Sequence, residues 1–129
     1  MNLAAENQYL GVDWGEKRIG LALADVETKM ALPFKTVNSL KELLLVIVEE
    51  NIALIVIGTP RKMAGEAANN PLYLSFLKEL KSKTEVEVVE IDERLSSKGA
   101  DALIGSAKDK AGRDEIAAAI FLQTYLEKL

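Results

Sequence analysis

The sequence contains no cysteine and no histidine. The first absence excludes disulfides, thiolate zinc sites and thiol nucleophiles; the second removes the usual zinc ligand and the usual general base. Any catalysis must therefore run on carboxylates, hydroxyls, lysine or arginine. Long hydrophobic runs are missing too: Glu49-Glu50 interrupts the longest apolar stretch well short of the roughly 18 residues that a membrane helix needs. The opening Met1-Asn2-Leu3-Ala4-Ala5-Glu6-Asn7 has neither the basic start nor the apolar run of a signal peptide, so the expectation is a cytoplasmic protein without a membrane partner. Positive charge is also in deficit, with a net charge of −4, which argues against broad nonspecific nucleic-acid binding. Two local exceptions stand out, Arg61-Lys62 and the group Lys108, Lys110 and Arg113 around Asp109.

What remains is an ordinary globular composition, 49% hydrophobic and 28% charged over 129 residues. That length suits one domain over residues 1–129, which can bury about two-thirds of its unfolded surface. No repeat, linker or low-complexity tract divides it.

The pattern predicts a hairpin from Gln8–Asp13 and Ile19–Ala24, joined across Asp13-Trp14-Gly15 and Glu16-Lys17-Arg18. A third strand, Met30–Val37, carries Pro33 and so suits a sheet edge. Ser39 and Glu42 have capping-box spacing and start a helix ending near Asn51, with Leu40, Leu43, Leu44, Ile47 and Val48 as its stripe. Ala53–Ile57 is continuously apolar, as in a strand covered on both faces. Pro71 opens a helix to about Lys83 with Leu74, Leu77 and Leu80 on one side, and Val86–Ile91 forms the next strand. A short helix is expected over Ser97–Ile104, then a basic loop to Gly112. A final helix, Asp114–Lys128, lines one face with Ile116, Ala117, Ile120, Phe121 and Thr124. The order βββαβαβα implies an α/β fold, a mixed five-stranded sheet with three antiparallel strands, then parallel ones, and helices on both faces.

The acids stand at telling places. Asp13 ends the first strand, Asp92 and Glu93 end the last, and Asp114 opens the final helix. Ligands of open α/β sheets gather beyond the carboxyl ends of strands, so these acids converge if the two strands lie close. Three or four carboxylates suit Mg²⁺ or Mn²⁺, which can hold a phosphate and activate water in place of histidine. Each feature alone has a plainer reading: Asp13-Trp14-Gly15 as a turn, Asp114 as a helix-start residue, Glu93-Arg94 as a surface ion pair. Gly58-Thr59-Pro60 through Gly65 lacks the ending of a P-loop and reads as a strand-to-helix connection. Trp14 reads as rim packing before it reads as a base-stacking platform.

Taken in order, several blocks resemble the YqgF/RuvX family of Holliday-junction resolvase-like proteins. These are Gly11-Val12-Asp13-Trp14-Gly15 with Lys17-Arg18-Ile19-Gly20-Leu21-Ala22, Gly58-Thr59-Pro60, Asp92-Glu93-Arg94-Leu95-Ser96-Ser97 and Asp114-Glu115-Ile116-Ala117-Ala118. The resemblance runs from Leu10 to about Leu126 and implies a ribonuclease H-like fold. It departs from the family at Trp14, Thr59, Ser96-Ser97 and Lys62-Met63-Ala64-Gly65, but every acid is in place. It implies Asp13, the Asp92-Glu93 pair and Asp114 as the catalytic acids, with Asp13, Asp114 and one member of the pair, Glu93 ahead of Asp92, as metal ligands.

The implied activity is metal-dependent phosphodiester hydrolysis on structured nucleic acid, most simply trimming the 5′ end of the 16S ribosomal RNA precursor. Cleavage of DNA junctions and a non-catalytic role in ribosome assembly are the alternatives. Lys17, Arg18, Arg61, Lys62, Arg94, Lys108, Lys110 and Arg113 are the expected nucleic-acid contacts. A homodimer would suit a resolvase that makes two symmetric cuts. A nucleotide phosphotransferase, which needs two such domains around a cleft, does not fit one chain of this size.

Overall fold

The structure, a computed structural model, describes residues 8–59, 70–92 and 112–128. Strands β1 (Gln8–Trp14), β2 (Ile19–Asp25) and β3 (Ala31–Val37) form an antiparallel meander. Strands β4 (Ile52–Thr59) and β5 (Glu87–Asp92) add in parallel on the other side of β1, giving the order β3-β2-β1-β4-β5. Helices α1 (Leu40–Glu49) and α2 (Pro71–Lys83) cover one face and α3 (Arg113–Glu127) the other. This is the expected order and topology, with Pro33 on the edge strand β3. Among the described residues no helix is long and apolar enough to cross a membrane.

The period-two alternation of the strands splits the core. Leu10, Val12, Leu21, Ile55 and Ile57 meet α1 and α2, whereas Ala22, Ala24, Leu54, Val56 and Ile91 meet α3. Strand β4 contributes to both clusters, which is why its sequence is uninterruptedly apolar. Each of these large aliphatic side chains contributes roughly 1.5–3 kcal/mol through burial.

Helix ends follow local chemistry. Ser39 Oγ accepts the Glu42 amide at 3.2 Å, while the Glu42 carboxylate accepts from Asn38 at 2.7 Å, one residue outside the expected box. Asn70 Oδ1 accepts the Leu72 and Tyr73 amides ahead of α2, with Pro71 in its first turn. In α1 the buried seam is Leu43, Val46 and Ile47. Val48, expected in the stripe, lies about 140° around the helix from Leu43 and is exposed. Tyr73, with Leu77 and Leu80, sets the buried side of α2, which leaves Leu74 exposed.

The buried face of α3 is broader than expected, running through Ala118, Ala119, Phe121, Leu122, Gln123, Thr124 and Leu126. Ile116, Ala117 and Ile120 are half-buried at its margin. Gln123 fastens α3 to the start of β3: its Oε1 accepts the Ala31 amide at 2.8 Å and its Nε2 donates to the Lys29 carbonyl at 3.2 Å. The expected helix over 97–104 and nearly all of the basic loop after it lie outside the described residues.

Candidate active site

Asp13 lies near the carboxyl end of β1, directly opposite Gly20 of β2. Two residues earlier, a Cβ on Gly11 would meet the Ala118 carbonyl oxygen at 2.5 Å, so this parity of β1 faces α3. Gly20 has the closest approach among the described glycines: a Cβ there would lie 2.2 Å from the carbonyl carbon and oxygen of Asp114 and 2.6 Å from its Cβ. Only a residue without a side chain lets the first turn of α3 settle onto β2 at this point. Because directly opposed residues of an antiparallel pair have Cβ positions about 5 Å apart, Asp114 is set beside Asp13. Two acids roughly 100 residues apart in the chain share one end of one sheet face.

The turn between β1 and β2 completes this corner. A Cβ on Gly15 would lie 2.8 Å from the Arg18 carbonyl oxygen, so the tight loop needs glycine there. Arg18 reaches back to Asp114, with Nε 3.2 Å from Oδ2; its side chain is 67% exposed and that of Asp114 is 26% exposed. Glu115 holds the helix start in place. Its Oε1 accepts the Gly112 amide and its Oε2 accepts the Thr36 hydroxyl of β3, both at 3.0 Å.

Asp92 stands at the same end of the sheet, paired in register with Thr59 of β4 and separated from β1 by that one strand, about 10 Å away. Its face differs, however. Val89 and Ile91 pack toward α3, while Val88 packs toward α2 and Glu90 reaches α2, which gives Asp92 the α2 parity. There the Tyr73 phenol donates to Glu90 Oε1 at 3.1 Å and shares a hydrogen bond with Thr59. Burial, then the Glu90 charge, pushes the Tyr73 hydroxyl far above its ordinary range, with the Thr59 contact opposing. Trp14 packs against Tyr73 edge-on at 5.6 Å and against Phe76 at 6.1 Å, which is the rim packing expected of it.

Of the expected site residues, the structure brings together Asp13, Asp114 and Arg18. Lys17 and Arg113 are exposed near them in sequence, on the turn and at the first position of α3. Glu93, Arg94, Arg61, Lys62, Lys108 and Lys110 lie outside the described residues. Sequence reading missed the steric role of Gly20 and Gly11, although an isolated glycine inside a strand is itself a signal of close backbone approach.

The donor set can be tested against a divalent cation. Among the described residues no three acids form a metal-holding cluster. The Asp13-Asp114 pair nevertheless fits Mg²⁺, which binds through one or two carboxylates while keeping several waters. Gly20 supplies the space that brings the second carboxylate in.

Comparison with known proteins bears on the family and the fold. A family model described as "RuvX: Holliday junction resolvase" matches residues 7–128. A protein of Endomicrobium trichonymphae named "Putative pre-16S rRNA nuclease" is 36% identical over 94% of this chain and 96% of its own length. A Chlamydia pneumoniae protein of the same name is 36% identical over 94% of this chain and 90% of its own. Among solved structures, RuvC of Thermus thermophilus in complex with Holliday junction substrate superposes with a TM-score of 0.65 at 13% identity, covering 95% of this chain and 94% of that one. The Fowlpox virus resolvase with its junction DNA superposes at 0.51 and 13% identity, covering 94% and 97%. The fold is therefore ribonuclease H-like, and with a family model spanning nearly its whole length, this chain belongs to the RuvX family.

Proposed function

We propose that this protein is a Mg²⁺- or Mn²⁺-dependent nuclease of the cytoplasm that trims the 5′ end of the 16S ribosomal RNA precursor. The observation that carries the reading is the placement of Asp114 over Gly20, beside Asp13. The names of the relatives, which span nearly their whole lengths, support RNA as substrate. The net charge of −4 supports it too, since a protein of low basicity suits a particular structured target better than DNA at large.

In this reading Asp13, Asp114 and Glu93 hold the cation. Glu93 is taken before Asp92 because Asp92 has the α2 parity, opposite to that of Asp13. Bound there, the cation would polarise the phosphate and lower the pKa of an attacking water. The chain itself orients the carboxylates, through the β1-β2 register at Asp13 and through Glu115 and Gly20 at Asp114. Lys17 and Arg113 attract the phosphates.

The test compares wild type with Asp13→Asn on RNA carrying the precursor 5′ end and on four-way junction DNA. The variant should lose at least about 100-fold in RNA cleavage while keeping its melting temperature, since even groups behind metal ligands are worth 10–100-fold. Equal cleavage by both proteins refutes the catalytic assignment. Cleavage of junction DNA alone, by a homodimer, would instead support the resolvase reading that the family description favours.

A further inference from the structure

The Arg18-Asp114 contact has a consequence for how the site is loaded. It rests on the proposed nuclease reading, because Asp114 matters here as a cation ligand. The β1-β2 register and Gly20 bring Asp13 and the start of α3 at Asp114 to one corner, and like charges sharing a site disfavour one another. Arg18 brings a positive charge to this pair, with Nε 3.2 Å from Asp114 Oδ2. It stands on a turn whose backbone Gly15 holds tight, at the carboxyl end of β1, with two-thirds of its side chain in solvent. An exposed ion pair of this kind is weak, so breaking it costs at most about fivefold in an equilibrium constant. The guanidinium fork, in contrast, matches a phosphate diester in geometry and charge.

We propose that Arg18 is an exchangeable counter-ion. In the cation-free protein it neutralises Asp114; when a divalent cation takes that carboxylate, Arg18 is released to a backbone phosphate of the nucleic acid. Cation and nucleic acid then favour each other's binding. Such coupling is reciprocal, each ligand tightening the other by the same factor.

Calorimetry with Mn²⁺ alone tests the first half on the full chain. Arg18→Gln should bind Mn²⁺ about two- to fivefold more tightly than wild type, because the competitor for Asp114 is gone. Lys17→Gln removes an equal charge from the same turn and should shift Mn²⁺ affinity much less. Equal shifts in the two variants would reveal a general field effect and overturn the exchange. Asp114→Asn separates this inference from the reading beneath it. If that variant binds Mn²⁺ as wild type does, Asp114 is no ligand and the nuclease assignment fails at this residue. If it loses Mn²⁺ while Arg18→Gln is unchanged, only the exchange fails.

The second half is read by anisotropy of a fluorescent RNA hairpin in the first seconds after mixing. Mn²⁺ should tighten binding to wild type more than to Arg18→Gln, and equal tightening would sink the phosphate role.

Discussion

Where α1 and α2 cover β1 and β2, these strands present Leu10, Val12 and Leu21; where α3 covers them, they present Gly11, Gly20, Ala22 and Ala24. The first face fills a gap with bulk. The second closes the gap by omission, bringing helix backbone onto strand backbone, with Ala118 and Ala119 as the matching small residues of α3. Bulky contacts tolerate loss by partial collapse, whereas a close backbone approach tolerates no addition. Asp13 and Asp114 lie on the second face, where position is fixed most sharply.

The largest effect that this contrast predicts is at Gly20. A methyl group there has backbone, not a flexible side chain, in its way. Gly20→Ala should cost about 3 kcal/mol or more, lower the melting midpoint by roughly 10 °C and reduce cleavage to background even where the protein remains folded. A folded, fully active Gly20→Ala would show that the two faces do not differ as described. Leu21, the next residue on the opposite face, supplies the counterpart. Leu21→Ala should lose about 2–5 kcal/mol by leaving a cavity, yet cleavage per folded molecule should stay within about twofold. Denaturant unfolding paired with single-turnover cleavage separates the two outcomes.

The smallest effect is at Tyr73, on the bulky face. Its hydroxyl is pushed well above the ordinary 10.0, so the folded protein holds this proton more tightly than the unfolded chain does. The stability that follows is fully present below about pH 10 and is lost as pH rises toward the folded value. Tyr73→Phe should cost about 1 kcal/mol at neutral pH, and its stability should fall less steeply than that of wild type above pH 10. Parallel alkaline unfolding curves for the two proteins would contradict this assignment.

The strands were readable because their signals are local: short apolar runs either side of a turn signal in β1 and β2, a continuous apolar run in β4, and Pro33 at an edge. The phases of the helices were harder to read. Leucine at 74 and valine at 48 look like core residues by type, but tertiary contact chose Tyr73 and Val46. Asp13 and Asp114 could be picked out by their positions at element ends. Their meeting could not, because it depends on the cross-strand register that sets Gly20 opposite Asp13. Nor does sequence give the face of Asp92, which follows from the parity of β5 once its packing is known.

The amide of Gln123 bridges α3 to backbone groups 92 and 94 residues earlier. A ribosome-bound chain that has released β1 to β5 but not α3 still lacks the clasp on β3, the cover over its glycines and the second carboxylate of its pocket. Any chain in which α3 has not yet packed therefore holds an unfinished site.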